Sequence, residues 1–503
     1  MDKKDIQLSE DCRLCVPHIN QSTVTECGEE FTLPDYYPEV RKVISTHCRV
    51  LPESWYDNGE TVEQGGVVCF TVMYLGDDGS LTAAPLTCDF TATVQLPKGC
   101  DSGDTVMSVD TTAENVTCRC AAPRKLSLRA RLRTVVSGDK TVSAEACVTD
   151  TMGEDATTAE KISVQILENA VQTMRRATGK HTGSVSGELK ERAGTRPVMC
   201  DGEIMVNEAV TDGNFVILRG DAVMWCIFFG EDGLYYRSVA RVPFEERIPL
   251  AGEKLSDGSA RGWGRCASVS VKDSEDGVFV WDMEYDLECE AAQNTFVGVS
   301  EDMYSTMCEG NTITTTVDSL SMLKCHTGRL SLGGDGTRTG KGTHGDYIIG
   351  SFGKAYPDKL ERDGSRLILT GTAEVHVLVC GGGEITDECV KLPIKYECDC
   401  SVNGEGELFR RWDLSVTDST ARLEGDSIRV TAEVCISLFA GLSQPVTYVS
   451  KLELDRSSKK DTDGGVLRIY YPSEGETVWD ITKKYRINKN AVTEVTAGGV
   501  LIE

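Results

Sequence analysis

Hydrophobic and polar residues alternate along three long segments that lie far apart in the chain. In each segment the apolar residues occupy every second position: Leu126, Leu128, Ala130 and Leu132 in the first; Phe279, Trp281, Met283, Tyr285 and Leu287 in the second; Ile428, Val430, Ala432, Val434 and Ile436 in the third. Strict alternation over about ten residues is typical of a β-strand with one buried face. The pattern therefore predicts three long strands of the same kind.

A hairpin pattern precedes each of these strands. It starts on a glycine, passes a glycine-containing turn and closes on an apolar residue: Gly66, Gly76 and Phe90; Gly220, Gly230 and Phe244; Gly371, Gly381 and Ile394. Strand, tight turn and strand are the signature of a β-hairpin. Because both patterns recur in the same order about every 150 residues, the sequence predicts a mainly β fold with three tandem, sandwich-like repeats.

A chain of 503 residues is long enough for several domains. Turn-rich and polar stretches mark the expected boundaries. We expect an N-terminal segment (1–25), three β repeats (26–158, 196–326 and 347–455), a connecting segment with possible helix (159–195), a glycine-rich linker (327–346), a polar linker (456–465) and a C-terminal module (466–503). The glycine-rich linker lacks the spacing of a phosphate-binding loop, so we reject nucleotide binding there.

The C-terminal module has the pattern of a strand, two helices and a strand (βααβ). Residues 467–471 form the first predicted strand. Thr477 is a good N-cap for the first helix, with Asp480 three residues later as its capping-box partner. Asn488 is placed to cap a second short helix, and residues 500–502 close the sheet. A module this small depends on such local devices because its core is minimal.

This module resembles the LysM domain. The resemblance is carried by Tyr470, Gly475, Thr477, Trp479, Ile481, Lys483, Lys484 and Tyr485. LysM domains bind N-acetylglucosamine polymers in a groove between two loops, and here the second loop is short, because Ala-Gly-Gly leads from Thr496 almost directly into Val500. The resemblance implies a partner- or glycan-binding site at Tyr470, Tyr471, Ser473, Gly475, Glu476, Thr477, Trp479 and Asp480, with the alternative that Trp479 packs the small core.

The repeats resemble a domain of unknown function that recurs in spore-forming bacteria, often in tandem and often followed by LysM. The segments CGEEFTLPDYYPEVRKVIS, from Cys27, and VSEDMYSTMCEG, from Val299, carry this likeness. The whole layout is similar to the SipL-like family of spore coat morphogenesis proteins. That resemblance implies a scaffold in the mother-cell cytoplasm, at the forespore surface and spore coat, that docks through its tail onto a coat-basement ATPase of the SpoIVA type.

Charge and cysteine usage narrow the possible partners, compartments and metal sites of the protein. The net charge of -27 disfavours nucleic acid and anionic membranes as partners. No apolar run approaches the roughly 18 residues of a membrane-spanning helix, and the N-terminus lacks the apolar core of a secretory signal, so we expect a cytoplasmic protein. The 21 cysteines are scattered and fit free thiols. Cys12-x-x-Cys15 with His18 falls short of four zinc ligands, so we expect neither a metal nor a cofactor.

Catalytic signatures are missing from the sequence. The six histidines sit in unrelated contexts, and neither G-x-S-x-G nor H-E-x-x-H occurs. We therefore expect a non-enzymatic scaffold. Two alternatives stay open: a cell-wall protein whose LysM-like module binds peptidoglycan, and a hydrolase that uses two carboxylates among the 79 acidic residues.

Overall fold

The chain folds mainly into β-strands, as the alternation predicts. We describe it from a computed structural model, for residues 12–98, 105–192, 194–252, 255–275, 277–339, 345–382, 384–400, 405–459, 468–495 and 499–502. Among these residues, no helix has the length and apolar character needed to cross a membrane.

The first six strands form two antiparallel sheets. They are β1 (Arg13–Thr32), β2 (Val40–Asp57), β3 (Thr61–Gly76), β4 (Leu81–Gln95), β5 (Thr105–Ala122) and β6 (Lys125–Ser143). One sheet has the order β2-β3-β4 and the other β1-β6-β5. The meander therefore stays together, while the first strand returns to pair with the last. We call β1 to β6 the first unit.

The next two groups of strands have the same order. After β7 (Cys147–Asp150) and α1 (Thr158–Ile162), the second unit comprises β8 (Val164–Lys190), β9 (Arg196–Asp212), β10 (Phe215–Phe229), β11 (Tyr235–Pro249), β12 (Ala251–Gly252), β13 (Ser259–Glu275) and β14 (Val278–Ser305). The third unit comprises β15 (Glu309–Thr337), β16 (Tyr347–Asp363), β17 (Arg366–Gly381), β18 (Glu384–Asp399), β19 (Glu407–Glu424) and β20 (Ser427–Asp455). Their sheets run β9-β10-β11 with β12-β8-β14-β13, and β16-β17-β18 with β15-β20-β19.

Each unit buries its core between its two sheets. The apolar face predicted for the three alternating strands is the inner face of β6, β14 and β20, and every side chain on it is at most 2% exposed. In the first unit this face packs against β3, which contributes Val68, Phe70, Val72 and Tyr74. The alternation thus identified the core strands correctly, because an antiparallel sheet with one wet face must alternate.

The predicted hairpin turns are also present in the first two units. Gly79 N donates to Gly76 O over 3.1 Å, and Gly233 N donates to Gly230 O over 3.0 Å. Gly79 and Gly233 have φ of 79° and 78°, in the left-handed region that an L side chain rarely adopts. These glycines therefore close the two turns at equivalent positions.

The three units meet in a shared apolar cluster at the ends of their meander sheets. Its buried members are Met73, Leu75 and Leu81 from the first unit, Met199, Trp225, Ile227 and Tyr235 from the second, and Ile349, Phe352, Leu378 and Ile385 from the third. Strand β7 adds a further connection, because it leaves the first unit and pairs in parallel with β20 of the third.

A buried ion cluster joins the same three units. Asp139 Oδ1 of β6 accepts from Arg176 Nη1 of β8 at 2.8 Å and from Arg411 Nη2 of β19 at 2.9 Å. Glu290 Oε2 of β14 accepts from Arg261 Nε at 2.8 Å. Burial opposes the ionisation of Glu290, but the neighbouring guanidinium groups of Arg176, Arg411 and Arg261 outweigh it and hold the pKa of Glu290 well below its usual value. These charges are all buried, so each depends on its partners.

The N-terminal segment and the connecting segment were assigned wrongly. Residues 13–25, expected outside the first repeat, belong to β1 and pair with β6. Most of the connecting segment is β8, which pairs with β14 along its whole length, and only Thr158–Ile162 is helical. Pairing with a distant strand decides both cases, and no local pattern reveals that partner.

The prediction of a glycine-rich linker is wrong for residues 327–337. Residues Gly333 to Thr337 end strand β15 and pair with Thr431 to Ser427 of β20. A Cβ on Gly336 would lie 2.5 Å from Val390 Cγ2 of the facing sheet. Glycine is needed here because two sheets approach closely, and flexibility is not its role. Residues 340–344 of this stretch lie outside the described chain.

Within residues 468–495 and 499–502, the C-terminal module has one helix where two were predicted. Its elements are β21 (Arg468–Tyr470), α2 (Val478–Tyr485), β22 (Val492–Val495) and β23 (Gly499–Ile502), and its sheet order is β21-β23-β22. Asn488 accepts at Oδ1 from Asn490 N at 3.0 Å and at its carbonyl from Ala491 N at 2.8 Å. This turn feeds a strand whose β-branched residues, Val492, Thr493 and Val495, disfavour a helix. Leu467, Thr496 and the polar linker from residue 460 lie outside the described residues.

Candidate functional site

The predicted site lies around the start of α2. Thr477 Oγ1 accepts from Asp480 N at 3.2 Å, while Asp480 Oδ2 accepts from Thr477 N at 2.8 Å. The hydrogen bonds from the Thr477 hydroxyl and amide lower the pKa of Asp480. The capping box predicted from the sequence is therefore confirmed. Both side chains stabilise the helix end.

The loop before α2 is held by its own side chains. Glu476 Oε2 accepts from Ser473 N and from the Tyr470 hydroxyl, each at 2.9 Å. Lys484 Nζ donates to the Tyr470 hydroxyl at 3.0 Å. Gly475 supplies a φ of 85° at the tip of the loop. Tyr470, Ser473 and Glu476 therefore form a preorganised loop, and their polar groups are already engaged within the module.

Trp479 anchors the module to the second unit. Its Nε1 donates to Asp302 Oδ2 at 2.8 Å, and its ring meets Tyr304 edge-on at a centroid distance of 4.9 Å. Lys483 Nζ donates to both oxygens of Asp302, at 2.8 and 2.6 Å. The Tyr304 hydroxyl donates to the Ile487 carbonyl at 2.8 Å. Trp479 thus packs against the three units, which we call the body. The sequence had suggested a binding-site residue or a core residue of the module, and this contact is neither.

The sequence carries a partial signal for this contact. Asp302 and Tyr304 belong to the segment VSEDMYSTMCEG, which starts at Val299 and covers the end of β14. An acidic residue and an aromatic residue at alternate positions of one strand are suited to receive an indole and an ammonium group.

Three apolar side chains of the module remain exposed. Tyr471 is 69% exposed, Ile469 61% and Val478 44%. Ile469 and Tyr471 flank Tyr470, and Val478 opens α2 beside Trp479. Of the eight predicted site residues, Tyr471 is the one that presents a large, weakly covered apolar surface.

A polar cavity lies between the three units. It has a volume of about 670 Å³, and its lining includes Arg49 from β2, Asp201 and Glu203 from β9, Lys354 from β16 and Asp413 from β19. Arg49 forms an ion pair with Asp201. Burial raises the pKa of Glu203 to about 7 and that of Asp413 to about 6. The cavity therefore holds two carboxyl groups that resist ionisation.

A serine, two histidines and an aspartate cluster beside the cavity. Ser45 Oγ donates to Asp387 Oδ2 at 2.5 Å and lies 3.2 Å from His47 Nε2, while His376 Nδ1 lies 2.9 Å from Asp387 Oδ2. Burial lowers the pKa of His47 well below its usual value. In a catalytic triad the histidine bridges serine and acid. Here Asp387 contacts both Ser45 and His376, so these three residues do not reproduce the serine–histidine–acid order of a triad.

Side chains of the types that bind metals also come together on the third meander sheet. In the part of the chain that the structure describes, one group qualifies: Glu374, His376 and Cys389. Cys12 and Cys15 have separate partners, since Cys12 Sγ donates to Gly298 O and Cys15 Sγ to Asp139. The group of Glu374, His376 and Cys389 was not predicted from the sequence, because its cysteine lies on a neighbouring strand.

No protein-family profile, curated protein or solved structure matches the chain.

Proposed function

We propose that the protein is a non-catalytic scaffold whose C-terminal module docks onto a protein partner. In this proposal the three units are tandem repeats and the module is LysM-like. The resemblance to spore coat morphogenesis proteins favours a coat-basement ATPase of the SpoIVA type as the partner. It also favours the mother-cell cytoplasm and the forespore surface as the location.

The observation that carries the proposal is the way the module is mounted. Trp479 and Lys483 bind Asp302 of the second unit, while Tyr471, Ile469 and Val478 stay exposed. An apolar surface on a preorganised loop binds with little loss of conformational entropy. A single aromatic anchor of this kind often carries much of the binding free energy.

The test is a binding measurement between the full chain and the purified ATPase. We expect Tyr471→Ala to weaken binding by at least about tenfold, because the exposed ring is lost from the interface. Tyr36→Ala is the matched control, since Tyr36 is an 80% exposed tyrosine on the first unit. Equal binding by both variants and the parent chain contradicts the proposal.

A second assay separates the two kinds of partner. The full chain is sedimented with purified peptidoglycan. Saturable binding that Tyr471→Ala removes, without binding to the ATPase, would replace the scaffold by the wall-binding alternative. The proposal expects the protein to stay in the supernatant.

A further inference from the structure

A cluster of three ligand-type side chains lies on the central strand, β17, and one edge strand, β18, of the third meander sheet. His376 of β17 stands directly opposite Cys389 of β18, and Glu374 lies two residues before His376 on the same face. One ligand atom from each of these side chains lies within 4.8 Å of the other two. A single ion between them would therefore reach all three with small adjustments.

The histidine of this cluster is oriented by a carboxylate. His376 Nδ1 lies 2.9 and 3.1 Å from the two oxygens of Asp387. Asp387 is fixed in turn by Ser45 of the first unit, whose hydroxyl donates to it at 2.5 Å. With Nδ1 as donor, the imidazole carries its lone pair on Nε2. Metal-binding histidines usually have this support from a carboxylate.

The charges of the cluster call for a cation. The carboxylates of Glu374 and Asp387 both lie close enough to the Cys389 thiol to interact with it electrostatically. Lys391 Nζ approaches Glu374 Oε1 to 2.6 Å and supplies one positive charge. A divalent ion would favour the thiolate and neutralise it together with Glu374. It would compete with Lys391 for the carboxylate.

We propose that Glu374, His376 and Cys389 form a zinc site with Asp387 as the orienting residue. Sulfur, nitrogen and oxygen donors together suit Zn²⁺, whereas Mg²⁺ and Ca²⁺ prefer oxygen alone. Three protein ligands leave a fourth tetrahedral position for water or an exogenous ligand. His376 and Glu374 also line the central cavity, so this position is reachable from it. Because Ser45 comes from β2, metal binding would tie the first unit to the third.

The test is a zinc titration of the full chain against a chromogenic chelator, with a non-thiol reductant present. We expect one ion per chain whose affinity falls at least about 100-fold in Cys389→Ser and about tenfold in Asp387→Asn. Cys120→Ser removes another exposed thiol and is the matched control, which should keep the affinity of the parent chain. No zinc binding, or equal affinity in Cys389→Ser and the parent, overturns the proposal.

Two further measurements keep the test sharp if a variant folds poorly. Lys391→Met removes the competing ammonium group and should tighten zinc binding by about tenfold; unchanged or weaker binding contradicts the competition. Co²⁺ in place of zinc should give a thiolate charge-transfer absorption that persists in Cys120→Ser and disappears in Cys389→Ser. Its persistence in Cys389→Ser would assign the metal to another thiol and overturn the site.

Discussion

The body and the C-terminal module are held by contacts of different kinds. The three units share a buried apolar cluster and a buried set of charges around Asp139 and Glu290. The module contacts the three units through Asp302 and Tyr304, and further through Gln165 and Glu309, and its lysine Lys483 at Asp302 is 44% exposed. Buried contacts make the three units unfold cooperatively, whereas a small, partly exposed contact allows an element to unfold locally. The comparison therefore predicts one rigid body with a separable tail.

The largest effect is expected from the buried charges. Glu290→Ala leaves Arg261 without its carboxylate partner and takes one of two carboxylates from Arg176, so it should lower the free energy of unfolding by about 3–5 kcal/mol. Urea denaturation of the full chain measures this loss. Glu361→Ala, at an exposed pair with Lys359, is the control and should change stability by less than about 0.5 kcal/mol. A small effect of Glu290→Ala would remove the distinction between body and tail.

The close approach of the sheets in the third unit is tested next. Gly336→Ala should destabilise the body by about 1–3 kcal/mol, because the new methyl group meets Val390. Gly333→Ala is matched to it, since its nearest neighbour would lie 3.9 Å away, and it should be neutral or slightly stabilising. Thermal denaturation compares the two. If both variants have the same thermal stability, residues 333–337 would be a flexible linker after all.

The tail should open without the body. Asp302→Asn weakens the contacts to Trp479 and Lys483, so the amides of α2 should lose about 1–2 kcal/mol of protection against hydrogen exchange. Strands β6 and β20 should keep their protection. Asp286→Asn, at an exposed aspartate of the same strand β14, serves as the control. Loss of protection throughout the body would show that the tail is part of the cooperative unit.

The smallest effect concerns the cavity and depends on pH. The pKa of Glu203 is raised to about 7 by burial, against about 4.3 in an unfolded chain. The folded state therefore binds an extra proton between these values, and stability falls as pH rises through that window. Because the cavity is large enough for water, we expect Glu203→Gln to stabilise the protein at pH 8 by about 1 kcal/mol, and not at pH 4. Glu60→Gln, on an exposed loop, should show no such dependence.

Local patterns were sufficient where a residue's neighbours in sequence decide its structure. The alternating faces that contain Leu128, Trp281 and Val430 are buried, and the turns at Gly76 and Gly230 close as expected. A period of two and a Gly-Asp turn are properties of a few adjacent residues, so they can be read directly.

Long-range pairing explains what could not be predicted. Residues 13–25 form a strand because β6 lies beside them, and the glycines near 334 are fixed by side chains from β18. Trp479 finds Asp302 across 177 positions of sequence. Cys389 joins His376 through strand pairing. The residues Asp302 and Tyr304 suit an indole and an ammonium group but do not identify Trp479 as the partner, and strand pairing has no local signature, so both contacts emerged from the structure.

Strand β7 has a consequence for the order in which the chain is completed. Cys147 pairs with Lys451, a separation of 451 − 147 = 304 residues. During synthesis β7 emerges early, and its partner β20 leaves the ribosome only after the second unit and most of the third have been made. Strand β7, which follows the first unit, has local hydrogen bonds to Glu154 and Ala156 on one edge, but its other edge must wait for β20. The pairing of β7 with β20 can therefore form only after β20 has been synthesised. A chain that stops before β20 would leave an unpaired strand edge, which quality control can recognise.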